Sequence, residues 1–555
     1  MAFIQSPPEL GNQYDDDRVL RSYLHRALPE EIRAAIGPQL EAFGERAAGE
    51  LYRQQLAERE IEPTLLQWDA WGNRVDRIEV TPLWRKAERI AAEEGLVAIP
   101  YERRHGAHSR IHQFALTYLF TASTDIYSCP LAMTDGAACA LLASSNAKLI
   151  ERAVPHLTSR DPNVFWTSGQ WMTEATGGSD VGLSETLARQ EGGGWRLSGR
   201  KWFTSAIASQ MALTLACPEG NPAGGKGLAL FYLETRDAQG CPNGLTVNRL
   251  KDKLGTRKVP TAELTLDATA AELVSVATDG VKNIAPMLNV TRTWNSVSAV
   301  ALMRRGIALA RDYAKRRVAF GATLAEKPLH ADTLAGLQAE LEAGFHLTFF
   351  VVELLGRVEA GQASAEQGAL LRVMTPITKL TTARQSVAVL SEAIEAFGGA
   401  GYVEDTGLPL LLRDAQVLPI WEGTTNVLAL DALRALESAG GVELLEREAR
   451  FCLQGVRHSD LMRISARVEH TLEEARLRVL AAGENDAGLE AGARRFTLTL
   501  GRTFALALLA RQAQWSLEYE RDERPLAAAR RFAAVPFNLL GNFSVDDART
   551  LAREE

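Results

Sequence analysis

The hydrophobic period of this chain changes near residue 166 and changes back near residue 280. That switch constrains the fold more than any other feature. Inside the segment, short runs of β-formers stand between Gly, Pro and Asn turns: Gly194-Trp195-Arg196-Leu197, Ala212-Leu213-Thr214-Leu215, Leu228 to Leu233 and Glu263-Leu264-Thr265-Leu266. Such spacing predicts an antiparallel sandwich or barrel over 166–280. Outside it, apolar residues recur every three or four positions, which predicts helices. Residues 1–165 read as a helical region, with the charged stretch Glu58 to Val80 as a connection. Residues 281–440 read as a bundle of long helices, with Ala299, Leu302, Met303, Gly306, Ile307, Ala310, Tyr313 and Ala314 marking one stripe. Residues 441–555 read as a further helical domain after the Gly440-Gly441 hinge, with a loop over Gly483 to Gly492. Helical, β, helical, helical is an α+β order. It does not alternate as βαβ units, which disfavours Rossmann and TIM-barrel enzymes.

Composition narrows the function classes. The 555 residues carry a net charge of −8, which lends no support to nucleic-acid binding. No apolar run approaches the ~20 residues of a membrane span. The N-terminal Met1 to Pro8 lacks the basic and apolar regions of a secretory leader. Five scattered cysteines without a C-x-x-C argue against a disulfide scaffold or Cys-based zinc site and for a reduced, cytoplasmic setting. His105, His108 and His112 have helical spacing, but Gly106 interrupts them and Arg103, Arg104 and Arg110 surround them with positive charge, so no metal site is expected.

Five segments have chemistry to offer. Met172-Thr173-Glu174-Ala175-Thr176-Gly177-Gly178-Ser179-Asp180 sets hydroxyls around a tight turn, suited to a phosphate or ring carbonyl; an ordinary Gly-rich turn is the bland reading. In Gly199-Arg200-Lys201-Trp202-Phe203-Thr204, strand alternation would put Trp202 and Thr204 on one face, an aromatic plate beside a hydroxyl, or simply a core Trp. Arg316-Arg317-Val318-Ala319-Phe320-Gly321 offers bidentate and stacking groups, or a helix end with a Gly cap. Phe397-Gly398-Gly399-Ala400-Gly401 follows a helical pattern and lacks the third Gly of a dinucleotide fingerprint, yet it permits close backbone approach. In Ile420-Trp421-Glu422-Gly423-Thr424-Thr425-Asn426, one carboxylate beside apolar residues suits a general base; a surface Glu before a helix is the alternative.

In this order and spacing, the five segments resemble those of the acyl-CoA dehydrogenase flavoprotein superfamily, over roughly residues 75–440. The resemblance implies an N-terminal helical domain, a middle β-barrel and a four-helix bundle, with FAD as cofactor. It implies that Met172 and Thr173 meet the flavin pyrimidine edge, Ser179 the pyrophosphate, and Trp202 and Thr204 the flavin face and N5. Arg317, Phe320, Glu395, Gly398 and Gly399 match segments that reach a neighbouring subunit's FAD, implying a homo-oligomer, usually a tetramer. Glu395 stands where a Gln is common. Thr424 and Asn426 match nucleotide-side contacts, Glu422 the catalytic base, and Arg292 an Arg near the substrate. Thr291 occupies the alternative base position of some members, and Asn289 stands where many have an Asp that contacts the CoA chain.

A narrower resemblance, to the AidB branch, lies in Asp69-Ala70-Trp71-Gly72-Asn73-Arg74-Val75-Asp76, Pro82-Leu83-Trp84, Cys129-Pro130 and Leu430-Asp431-Ala432-Leu433-Arg434. That branch has the additional C-terminal helical domain. The leading expectation is α,β-dehydrogenation of an acyl-CoA in fatty acid metabolism, with an electron-transferring flavoprotein as acceptor. The alternative is an alkylation-response flavoprotein that binds DNA through its tail. From Gly441 onward, however, 17 Arg face 18 acids with no Lys, so solvated helix faces account for the doublets Arg494-Arg495 and Arg530-Arg531.

Overall fold

The structure is a computed structural model that describes residues 6–482, 487–541 and 544–553. Residues 1–5 of the segment read for a leader, and Gly483 to Asp486 of the expected 483–492 loop, lie outside the described residues. The rest of that loop is helix from Ala487 onward. Among the described residues no helix is long and apolar enough to cross a membrane. The chain divides into two compact units, Glu50–Arg104 with Phe120–Trp294, and Met1–Gly49 with His105–Leu119 and Asn295–Glu555.

The first unit holds the sheet. Its first two strands, β1 (Thr64–Trp68) and β2 (Arg74–Glu79), form an antiparallel hairpin. This corrects the reading of Glu58 to Val80 as a connection. Only Leu65 and Ile78 of the hairpin pack on the sheet's core, so its apolar signal is sparse amid charge. The Asp69 carboxylate orders the tip by accepting the backbone N–H groups of Trp71 and Asn73.

Seven strands follow: β3 (Ser168–Trp171), β4 (Leu187–Glu191), β5 (Gly194–Ser205), β6 (Met211–Pro218), β7 (Ala229–Glu234), β8 (Leu245–Leu250) and β9 (Thr261–Leu273). The pairings β6–β4, β4–β5, β5–β9, β9–β7 and β7–β6 close a ring, with β3 added to β6 and β8 to β9. The expected barrel is therefore present, but it is not purely antiparallel, because β6 runs parallel to both β3 and β4. The sequence period identifies strands, whereas closure chooses their partners. Alternation along β6 and β7 separates two cores. Ala212, Ala216, Ala229, Phe231 and Leu233 join the barrel core, while Leu213, Leu215, Leu230 and Tyr232 meet residues of the Ser128–Ser144 and Ala147–Leu157 helices. Such a strand is buried on both faces and reads as a continuous apolar run.

The second unit is helical. The Ala285–Arg316 helix enters it at Asn295; Pro328–Glu359, Ala365–Glu395 and Thr425–Ser438 complete a bundle. Pro328 opens its helix at a position where a missing N–H costs nothing, and Ser364 with Gln367 forms a capping box. Between the first two helices, β10 (Val318–Ala319) and β11 (Ala322–Thr323) make a miniature hairpin. The tail contributes the 33-residue Ala487–Tyr519 helix to the same unit. Phe504 meets Phe350 at 5.0 Å between ring centroids, a Cβ at Gly501 would run into Thr381 Oγ1, and Arg502 grips Glu340 with two hydrogen bonds.

Candidate active site

In the sheet unit, β3 ends at Trp171 and delivers Met172 and Thr173, both half-buried, into a turn. Gly177 donates its N–H to the Glu174 carbonyl at 3.0 Å and has φ +122°, which only glycine adopts readily. No atom lies within 4 Å of where its Cβ would stand, and a Cβ on Gly178 would lie 2.6 Å from Thr173 Oγ1. Ser179 is exposed and lines an open cavity of about 530 Å³ with Asp180, Gly225, Lys226, Asp279 and Lys282.

Trp202 is the outward residue of β5, 45% exposed, with Lys251 Nζ 3.4 Å from its ring centroid. Its backbone N–H donates to the Thr173 carbonyl at 3.0 Å, so the first two sequence segments meet directly. Thr204 does not share its face. The β5–β9 register slips between Lys201 and Thr204, and this bulge turns Thr204 fully inward, where its hydroxyl donates to the Ala262 carbonyl at 2.8 Å. Simple alternation cannot foresee a bulge, because the extra residue reverses the pleat after it. Arg292 is half-buried on its helix next to the buried Thr291, whose hydroxyl donates to Leu288 O.

Two groups that sequence reasoning left unassigned hold this region. Lys201, fully buried, donates from Nζ to Glu174 Oε1 at 2.7 Å and to the Leu215 carbonyl at 2.8 Å. Glu174, 3% exposed, also accepts from Thr186 Oγ1 at 2.6 Å and the Glu185 N–H at 2.7 Å. Burial alone would raise its carboxyl; the Lys201 ammonium and these hydrogen bonds nonetheless hold it below the usual range. Burial pulls Lys201 down against the attraction of Glu174. The legible signal was a charged residue at an inward strand position between an exposed Arg200 and an exposed Trp202.

In the helical unit, Glu422 has φ +58° and Gly423 φ +104°, immediately before the Thr425–Ser438 helix. A left-handed non-glycine is uncommon and such strain persists only where its surroundings enforce it. Lys379, fully buried on the Ala365–Glu395 helix, supplies part of that enforcement by donating from Nζ to the Gly423 carbonyl at 2.7 Å. Glu422 is half-buried; Thr424 caps the following helix by accepting from the Val427 N–H at 3.4 Å, and Asn426 is exposed.

Arg317 is half-buried just after the helix ends, and its backbone N–H donates to Tyr313 O at 2.9 Å. The glycine that follows it is not a helix cap. Phe320 (φ +51°) and Gly321 (φ +79°) are the two turn residues of the β10–β11 hairpin, and Phe320 is 98% exposed. Glu395, Gly398 (φ +60°) and Gly399 are exposed, with open space at both glycine Cβ positions. The Tyr313 and Phe397 rings, 4.9 Å apart, tie this glycine turn to the helix that carries the hairpin. In the tail, Arg530 and Arg531 pair with Asp460 and Asp332 rather than standing as a basic doublet.

In the sheet unit these features fit FAD. The Gly177-Gly178 turn offers hydroxyls and open backbone, and Trp202 offers an exposed aromatic plate, which suit a ring edge and a planar face.

The sequence matches the family profiles for the adaptive response protein AidB N-terminal domain over residues 5–162, the acyl-CoA dehydrogenase middle domain over 169–269, the acyl-CoA dehydrogenase C-terminal domain over 278–437, and an acyl-CoA dehydrogenase 11 C-terminal domain-like profile over 445–548. It is 43% identical over 525 residues to acyl-CoA dehydrogenase family member 11 of Caenorhabditis elegans, covering 91% of this chain and 85% of that one. It is 32% identical to the putative acyl-CoA dehydrogenase AidB of Escherichia coli, over 71% of this chain and 72% of the relative. The solved structure of C. elegans ACDH-11 in complex with C11-CoA superposes with a TM-score of 0.94 at 39% identity, over 99% of this chain and 96% of that one. The chain belongs to the acyl-CoA dehydrogenase flavoprotein superfamily, oxidoreductases acting on CH–CH groups, and within it to the AidB-like branch.

Proposed function

We propose that the protein is an FAD-dependent dehydrogenase of an acyl-CoA thioester, with Glu422 as the base that removes the proton α to the carbonyl. The observation that carries this reading is the left-handed Glu422-Gly423 turn, braced by a buried lysine, which fixes where a half-buried carboxylate points. Loss of the α-proton leaves negative charge next to the thioester carbonyl. The protein's task is to hold the α-carbon against Glu422 Oε while that charge develops. Bound FAD would accept the hydride that leaves the β-carbon, giving a trans-2-enoyl-CoA, and an electron-transferring flavoprotein would take up the electrons.

Met172 and Thr173 would hold the flavin's pyrimidine edge, Ser179 its pyrophosphate, Trp202 its face, and the backbone around the inward-turned Thr204 its inner margin. Thr424 and Asn426 would contact the nucleotide side, and Arg292 the substrate. Arg317, Phe320, Glu395, Gly398 and Gly399 would reach the FAD of another copy in a homo-oligomer, a role that suits a nearly fully exposed Phe at a hairpin tip. Similarity to a relative solved with C11-CoA supports an acyl-CoA substrate.

The test is anaerobic: protein reconstituted with FAD is mixed with acyl-CoA thioesters of graded chain length and the flavin absorbance is followed. Bleaching by at least one thioester is expected. A yellow protein that no acyl-CoA bleaches, yet that binds duplex DNA with a steep salt dependence, would replace this reading by the DNA-response one.

A further inference from the structure

We propose that Glu174 and Lys201 are positioning residues for the flavin site, acting through the two residues next to them in sequence. The inference rests on the reading of Thr173 and Trp202 as flavin contacts. Each member of the buried pair adjoins one of them: Glu174 follows Thr173, and Lys201 precedes Trp202. The pair is bonded at 2.7 Å, and the Trp202 N–H closes the circuit on the Thr173 carbonyl at 3.0 Å.

The same two side chains reach three strands of the closed barrel. Lys201 lies on β5 and bonds the carbonyl of Leu215 on β6; Glu174 bonds the Glu185 N–H and the Thr186 hydroxyl, immediately before β4. The turn that carries Thr173 is thereby fixed to the barrel wall that carries Trp202. The bulge that exposes Trp202 and inverts Thr204 begins directly after Lys201, so the lysine also marks the last residue in regular register.

Stability alone does not explain such a pair. Two charges with side chains 0% and 3% exposed carry a desolvation penalty, and apolar residues of similar volume often replace buried pairs without loss. What apolar residues cannot reproduce is directed bonding from one turn to three strands. The pair should therefore matter more to the placement of Thr173 and Trp202 than to folding.

The experiment compares wild type, Glu174→Gln and the double variant Glu174→Met/Lys201→Met, each as the full chain. Melting temperature is read without FAD, and FAD Kd and the visible spectrum of the bound flavin are read by titration. The double variant is expected to melt near wild type while binding FAD at least about tenfold more weakly, with a shifted flavin band, the loss of roughly one charged hydrogen bond's worth of placement. Glu174→Gln, close to isosteric, keeps an acceptor for Lys201 and should show the same band shift with a smaller change in Kd. Wild-type Kd and spectrum in either folded variant would overturn the proposal. If the double variant fails to fold, Glu174→Gln decides alone by the same criterion. Should wild type itself bind no FAD, the reading of Thr173 and Trp202 falls first, an outcome visible before any variant is compared.

Discussion

Each unit of this protein buries a lysine behind a turn, and the two are held differently. In the sheet unit Lys201 faces a carboxylate, and Glu174 distributes the resulting bonds over loop and strands. In the helical unit Lys379 bonds the carbonyl of Gly423, behind the residue proposed to do chemistry. The contrast follows from what each turn must leave available. The Thr173 turn can give up its neighbouring carboxylate to structure, because Thr173 offers a hydroxyl and backbone groups. On the proposed reading the Glu422 carboxylate would be left for the substrate, and the bond of Lys379 to the Gly423 carbonyl braces the backbone beside it.

That distinction gives four predictions. The largest effect belongs to Glu422→Gln. An amide cannot take the α-proton, so flavin bleaching by a good acyl-CoA should slow about 10²–10⁴-fold while FAD stays bound. Near wild-type bleaching would show that the base lies elsewhere, and the contrast between the two lysines would lose its meaning. Lys379→Met comes next. Releasing the turn should lower kcat about 10²-fold, the cost of roughly an ångström of misplacement, with FAD Kd unchanged. Loss of FAD instead would mean that both lysines serve cofactor binding.

The third prediction concerns a buried carboxyl without a bonded cation. Asp125 has φ +52°, accepts from the Gln55 amide at 2.9 Å, and is pushed up to about 6 by burial, with the Gln55 bond opposing. The folded state binds this proton more tightly than the unfolded chain does. Its contribution to stability is therefore full below about pH 4 and is lost as pH rises through about 6. Asp125→Asn, which tolerates the left-handed backbone and keeps the Gln55 bond, should stabilise by about 3 kcal/mol at pH 8 and by almost nothing at pH 4. Denaturant titrations at the two pH values measure this, and a pH-independent effect would refute it. The smallest effect is that of Thr424→Ala, loss of a helix cap, which should cost about 1 kcal/mol in the same titrations without moving the flavin spectrum. A spectral change would place Thr424 against the flavin ring rather than on the nucleotide side.

The local form of the candidate segments was partly legible because each is short and contiguous. The Thr173 segment reads as a tight turn from local composition and is one, whereas Gly398-Gly399, read as permitting close backbone approach, opens a short 3-10 helix. The Phe320-Gly321 pair was read as a helix end, yet it forms a hairpin: a two-residue strand leaves no period to detect. The β1–β2 hairpin escaped for a related reason, with so few of its side chains packed on the core.

The sequence by itself determined which long stretches are helical, which one is sheet, and the family, because hydrophobic period and turn chemistry are local and the five segments keep their order along the chain. Tertiary structure alone decided which strands pair in parallel, where the β5 bulge falls, and that Thr204 faces inward. It alone decided that Glu174 and Lys201, twenty-seven positions apart, form a buried ion pair at 2.7 Å. The physical reason is that a barrel must close. Closure fixes register and partners across the whole unit, and it brings the buried Lys201 the opposite charge of Glu174 that offsets its burial.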